Sequence, residues 1–189
     1  MNRREALKRM ALLTGGALSM STVAGIMGGC NTSPSDNFTP QTLTSDQNEL
    51  VTMLSERIIP ATDTPGAKAA KVNQFIDHML TDWNTDAEKK HFLQGLAHVD
   101  ELSNNSYDDN FVNLGKDDQI TVLKKLEQEA KDNPMNNSDL KPFFDMMKEF
   151  TVVGYYTSEI GASKELKSNI VPGYYDGCIP YSDVGRAWS

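Results

Sequence analysis

His91 and His98 are the first residues in this chain whose type suggests metal chemistry, and their spacing argues against it. Seven positions on a helix are two turns, roughly 10 Å, whereas a chelating helical pair stands three or four apart. His78 lies in a separate segment. All three read as solvated helix-face histidines. The two cysteines, Cys30 and Cys178, belong to no C-x-x-C-H haem attachment and to no paired set for zinc or an iron–sulfur cluster. No G-x-G-x-x-G follows a strand pattern, so no dinucleotide cradle is written here. Ser163 and Asp176 have no credible histidine partner for acyl transfer. The carboxylates are scattered, and no acid–base pair can be read from their spacing. The expectation is a chain with no catalytic residues, no metal site and no cofactor of its own.

The chemistry that can be read lies at the N-terminus. Arg3-Arg4-Glu5-Ala6-Leu7-Lys8 is a twin-arginine pair followed by a Leu-Lys step. A weakly apolar stretch from Met10 to Gly29 comes next and ends in Met27-Gly28-Gly29-Cys30, two small residues before a cysteine. A basic head, a short apolar run and a small-residue cleavage site make an export signal, not part of the fold. Arg3 and Arg4 point to the Tat route, which moves folded proteins. Cys30 points to a lipoprotein: cleavage before it, then acylation of its thiol and its new amine. Several acyl chains exceed the two-signal minimum for stable anchoring. The five glycines of Met10–Gly29 make that stretch too polar for a bilayer-spanning helix.

Residues 1–29 carry Arg3, Arg4, Lys8 and Arg9 against Glu5. Of the chain's 18 basic and 26 acidic residues, the mature part therefore keeps 14 and 25, a net charge of −11. So acidic a domain repels nucleic-acid phosphates rather than releasing their counterions. With Cys30 acylated, Cys178 has no intramolecular disulfide partner and is expected to be a small buried side chain.

The elements can be read from periodicity. Residues 30–42 read as a polar Pro/Ser/Asn tether, and 43–189 as one domain. Leu43 to Ile59 is a helix opened by the capping box Thr44-x-x-Gln47, with Leu43, Leu50, Met53, Leu54 and Ile58 on one stripe. Pro60 stops it. A second helix covers Ala67 to Asp82, with Val72, Phe75, Ile76, Met79, Leu80 and Trp83 inward. A third starts at the capping box Thr85-x-x-Glu88 and meets a polar break at Ser103–Asn110. Phe111 and Leu114 form a packed turn. The fourth runs Asp117 to Lys131 with Ile120, Leu123, Leu126 and Ala130 inward, and the fifth runs Leu140 to Ile160 with Phe143, Phe144, Met147, Phe150 and Val153. No segment alternates like a strand for long. The fold class is all-α: an irregular bundle of five or six helices with a Gly/Pro/Tyr-rich C-terminal coil, a strap over 161–189.

Two segments are not explained by helix packing alone. One is the corner Arg57–Ala67, with Pro65 and Gly66 at its turn. The other is the tail after Gly161, where Tyr174, Tyr175, Arg186 and Trp188 stand in coil. Such side chains are costly to leave in water and need a surface, their own core or a partner's.

At these segments the chain resembles the gluconate 2-dehydrogenase subunit 3 family. Glu56–Leu80 (ERIIPATDTPGAKAAKVNQFIDHML) is similar to its N-terminal signature. Gly154–Leu166 (GYYTSEIGASKEL) and Pro172–Ser189 (PGYYDGCIPYSDVGRAWS) are similar to its C-terminal one. The resemblance implies a non-catalytic small subunit beside a large flavoprotein of the glucose–methanol–choline type, which carries FAD and oxidises a sugar or sugar acid. It further implies that the small subunit escorts its partner through the Tat pore, with a separate multihaem c-type cytochrome as a further partner. Pro65, Gly66, Tyr174, Tyr175, Asp176, Arg186 and Trp188 would then face the large subunit. The expected location is the periplasm, with a lipid on Cys30 as membrane anchor. The competing reading is an independent periplasmic ligand-binding lipoprotein.

Overall fold

The structure, a computed structural model, describes residues 38–134, 140–166, 168, 173 and 176–184. The chain divides into two units, Met1–Phe38 and Thr39–Ser189. The second unit holds the helices. Arg3, Arg4 and Cys30 lie outside the described residues, as do Tyr174, Tyr175, Arg186 and Trp188.

Among the described residues the architecture is helical without strands: α1 Ser45–Ile58, α2 Val72–His78, α3 Asp86–Tyr107, α4 Lys116–Asp132, α5 Phe143–Tyr156 and a single turn α6 Tyr181–Val184. A π-helical turn, Met79–Trp83, extends α2, a second one, Gly161–Glu165, comes after α5, and a 3₁₀ turn, Phe111–Asn113, precedes α4. Helix α5 is the centre, packing on α1, α2, α3 and α4. Its Met147, Phe150 and Tyr155 meet Leu50, Val51 and Leu54 of α1, Val72 and Ile76 of α2, and Phe92, Leu96 and Val99 of α3 in one core. Phe92 stacks edge-on against Phe143 with ring centroids 5.2 Å apart.

Both capping boxes are present. Thr44 and Gln47 satisfy each other's orphan amides at the start of α1, and Thr85 and Glu88 do so at the start of α3.

Several sequence expectations are corrected. Helix α2 begins at Val72, not Ala67, because Lys71 adopts a left-handed conformation (φ 56°) that a helix cannot continue through. Trp83 is not inward but 79% exposed. The π turn inserts a residue into the helical register and rotates the indole away from the stripe that buries Leu80. The break expected at Ser103 is absent: α3 continues to Tyr107, the buried Ser103 hydroxyl donates to the Val99 carbonyl at 2.9 Å, and left-handed Asp108 ends the helix. On α4, Ile120 is exposed and Gln119 takes the inward place. Burial of that amide is met by two hydrogen bonds, from Arg57 Nε (2.7 Å) and to the Phe111 carbonyl (2.9 Å). Helix α5 spans Phe143–Tyr156 rather than 140–160, and Val153 is exposed, since the core side of α5 is filled by Thr151, Gly154 and Tyr155. Cys178 is exposed, not buried.

Candidate functional site

The corner after α1 is built around a carboxylate. Pro60 has no amide to continue the helix, so the chain turns through Pro60–Gly66. Glu56, two residues before the helix end, accepts the backbone amides of Ala61 (3.0 Å) and Lys68 (2.8 Å) on either side of that loop. Gly66 makes this possible. A Cβ there would stand 2.5 Å from the Ala61 nitrogen and 2.6 Å from Glu56 Oε2. The Ala67 amide returns to the Ile59 carbonyl at 2.9 Å and closes the loop.

Helix α5 supports the corner from beneath. Tyr155 is buried, and its hydroxyl donates to the Pro65 carbonyl at 2.7 Å. Thr64 donates its hydroxyl to Glu165 Oε2 at 2.7 Å. Gly154 lets α2 approach, since a Cβ there would meet the Phe75 ring at 2.7 Å. The segments Glu56–Leu80 and Gly154–Leu166, about a hundred residues apart in sequence, are thus one assembly. It presents Pro60, Ala61, Thr62, Asp63 and Pro65 to solvent. Val152, Val153 and Tyr156, exposed on α5, add apolar surface.

Of the residues expected at a partner face, the structure brings Pro65 and Gly66 into this corner, with Pro65 exposed and Gly66 buried behind it. Asp176 is exposed, and its Oδ1 accepts the Cys178 amide at 3.1 Å. The residues sequence reasoning missed are Glu56, Thr64, Tyr155 and Glu165. Only the proline–glycine step at 65–66 hints at them: Thr64, Tyr155 and Glu165 have partners 90 or more residues away, and Glu56 meets its two amides only once the loop is folded.

A second device sits at the other end of α2. Asp77 is fully buried, and its carboxylate accepts three consecutive amides, from Gln41 (2.8 Å), Thr42 (3.0 Å) and Leu43 (2.9 Å). Thr42 and Thr81 join their hydroxyls at 2.8 Å beside it. This clasp fixes the point at which the chain enters the bundle.

The histidines stand on helix faces, and two of them bridge α3 to its neighbours. His91 Nε2 meets the Lys141 carbonyl at 3.0 Å, and His98 Nε2 meets Glu129 at 2.9 Å. Both line an open groove of about 470 Å³ with Leu126 and Phe143. His78 is exposed on α2. Among the described residues no group of three or more His, Cys, Asp or Glu stands where it could hold a metal ion.

No curated protein and no solved structure matches the chain. The sequence model of one family, described as Gluconate 2-dehydrogenase subunit 3, matches residues 45–173. That span runs from the first residue of α1 and includes the Glu56 corner, α5 and the Gly161–Glu165 turn. Of the tail block Pro172–Ser189 it includes only the first two residues. With well over half its length inside that match, the chain belongs to the gluconate 2-dehydrogenase subunit 3 family.

Proposed function

We propose that this chain is the non-catalytic small subunit of an exported, FAD-dependent sugar or sugar-acid dehydrogenase of the glucose–methanol–choline type. In this reading residues 1–29 are a Tat signal that carries a folded partner across the membrane. Residues 30–42 are a tether, and a lipid on Cys30 holds the complex at the periplasmic face. The observation that carries the reading is the family match over 45–173, which takes in both segments that meet at the Tyr155–Pro65 contact. A corner that exposes Pro60 and Pro65, together with exposed Val152, Val153 and Tyr156 on α5, suits a protein partner, since interface cores favour aromatic and apolar groups over charge. The flavin is assigned to the partner. The sequence carries no G-x-G-x-x-G motif of the kind that cradles a dinucleotide pyrophosphate. A c-type cytochrome completes the electron path.

The test is a pull-down of the mature chain from periplasm. The expected result is a co-purifying flavoprotein with flavin absorbance bands and sugar-oxidising activity, while the isolated chain is colourless and inactive. Replacing Arg3 and Arg4 with Lys should hold both proteins in the cytoplasm. Recovery of the chain alone, with a small ligand in the His91–His98 groove, would instead support the independent binding lipoprotein.

A further inference from the structure

Trp83 has no role in the partner reading. It is 79% exposed, although Leu80, one turn earlier, is fully buried. An indole held out in water by a π turn is a large apolar area looking for a surface. We infer that the Trp83 end of the bundle lies against the membrane, with the indole at the boundary between headgroups and acyl chains. The inference rests on the lipid-anchor reading of Cys30.

Three observations converge on it. The chain enters the bundle at Gln41–Leu43, where Asp77 and Thr81 hold it, and Trp83 comes two residues after Thr81, about 3 Å along the helix axis. Cys30 precedes Gln41 by eleven residues. Whatever its conformation, a chain of that length cannot exceed about 40 Å, so in that reading a lipid on Cys30 ties this end of α2, where the chain enters, to the bilayer. The partner corner stands at the opposite end. From Val72 to Trp83 is eleven residues, about 16 Å. One end is thus left to the membrane and the other to the enzyme.

The side chain suits the site. Tryptophan concentrates at membrane–water interfaces because its ring is apolar and its N–H is not. The exposed Asp82 and Asp86 beside it resist an anionic surface, which favours zwitterionic lipid such as phosphatidylethanolamine.

The experiment uses the processed chain purified from membranes. A Trp188→Phe background leaves Trp83 as the sole indole, because the chain has two tryptophans. The chain is reconstituted in mainly phosphatidylethanolamine vesicles carrying brominated acyl chains. The expected result is a blue-shifted Trp83 emission that loses most of its intensity to the bromines. Trp83→Phe in the native background gives the same assignment by difference. A chain that co-floats with the vesicles while Trp83 stays red-shifted and unquenched overturns the inference and leaves the anchor intact. A chain that does not float and carries an unmodified Cys30 sinks the anchor reading and this inference with it. Shielding that appears only when the flavoprotein is added, without bromine quenching, assigns Trp83 to the protein partner and overturns the inference.

Discussion

The two ends of α2 use the same device at different depths. At one end Glu56 gathers two amides of the corner, through hydrogen bonds open to solvent. At the other Asp77 gathers three amides of the entering chain and is fully buried. A carboxylate that loses its hydration must recover it from protein donors, so the buried site is held by more bonds and tolerates less change. The exposed one can exchange a lost bond for water. The entry point of the chain is therefore a structural fixture, while the corner is a shaped but adjustable surface.

The largest expected effect is at Asp77. Asp77→Ala orphans three amides, one buried and two partly so. Bonds to a charged acceptor are worth enough that about 3 kcal/mol or more should be lost, a fall in melting temperature of roughly 6–12 °C for a domain of this size. Circular dichroism melting checks it. A change no larger than that of Glu56→Gln would break the comparison. Gly66→Ala comes next. Its Cβ would stand against the Ala61 nitrogen and the Glu56 carboxylate, and overpacking of this kind costs about 1–3 kcal/mol. Here the melting temperature should fall less than in Asp77→Ala, while partner capture should weaken, because the loop itself is displaced.

What could be read in the sequence was what is local. Both capping boxes, the stop at Pro60, the stripe of α1 and most of that of α4 depend on residues within one or two turns, and they stand as expected. The features that failed depend on long-range geometry. Left-handed Lys71 and the π turn at Met79–Trp83 moved the start of α2 and turned Trp83 outward, and neither has a local residue signal. Gln119 displaced Ile120 because its partners, Arg57 and Phe111, wait on other elements. The same holds for the site. Pro65 and Gly66 were visible as a turn, but Glu56 and Asp77 look like two more scattered carboxylates until the amides they hold are brought together by the fold.

A smaller effect separates support from surface. Tyr155→Phe removes the hydroxyl that donates to the Pro65 carbonyl. Pro65 is exposed, so water can replace the bond, and about 1 kcal/mol or less should be lost from folding. If the corner is the partner face, affinity for the large subunit should fall further, by about tenfold. Titration of the purified subunits measures it. Equal affinity for Tyr155→Phe and the unaltered chain would mean that the partner docks elsewhere.

The smallest effect extends the comparison to a third carboxylate, half-buried at the start of α3, with hydrogen bonds open to solvent. Glu88 accepts the Thr85 amide and the Thr85 hydroxyl, each at 2.8 Å, in the capping box of α3. The backbone bond, first, and then the hydroxyl hold its carboxyl below the ordinary range. Its folded value lies below its unfolded one, so the stabilisation is complete above the unfolded value, about 4.3. It is lost as pH falls through the lowered folded value. The box at α1 has the same geometry but uses Gln47, whose amide oxygen accepts the Thr44 amide at 3.0 Å and does not titrate. Glu88→Gln should therefore convert the second box into a copy of the first. Near neutral pH the two proteins should differ by less than about 1 kcal/mol, because solvent screens an exposed site. Below about pH 4.3 the difference should shrink towards zero, since the unaltered chain protonates there and the variant has nothing to lose. Melting curves of both chains across the acid range give the measurement. A gap that widens as pH falls would show that Glu88 is not held low by its cap, and would break the parallel between the two boxes.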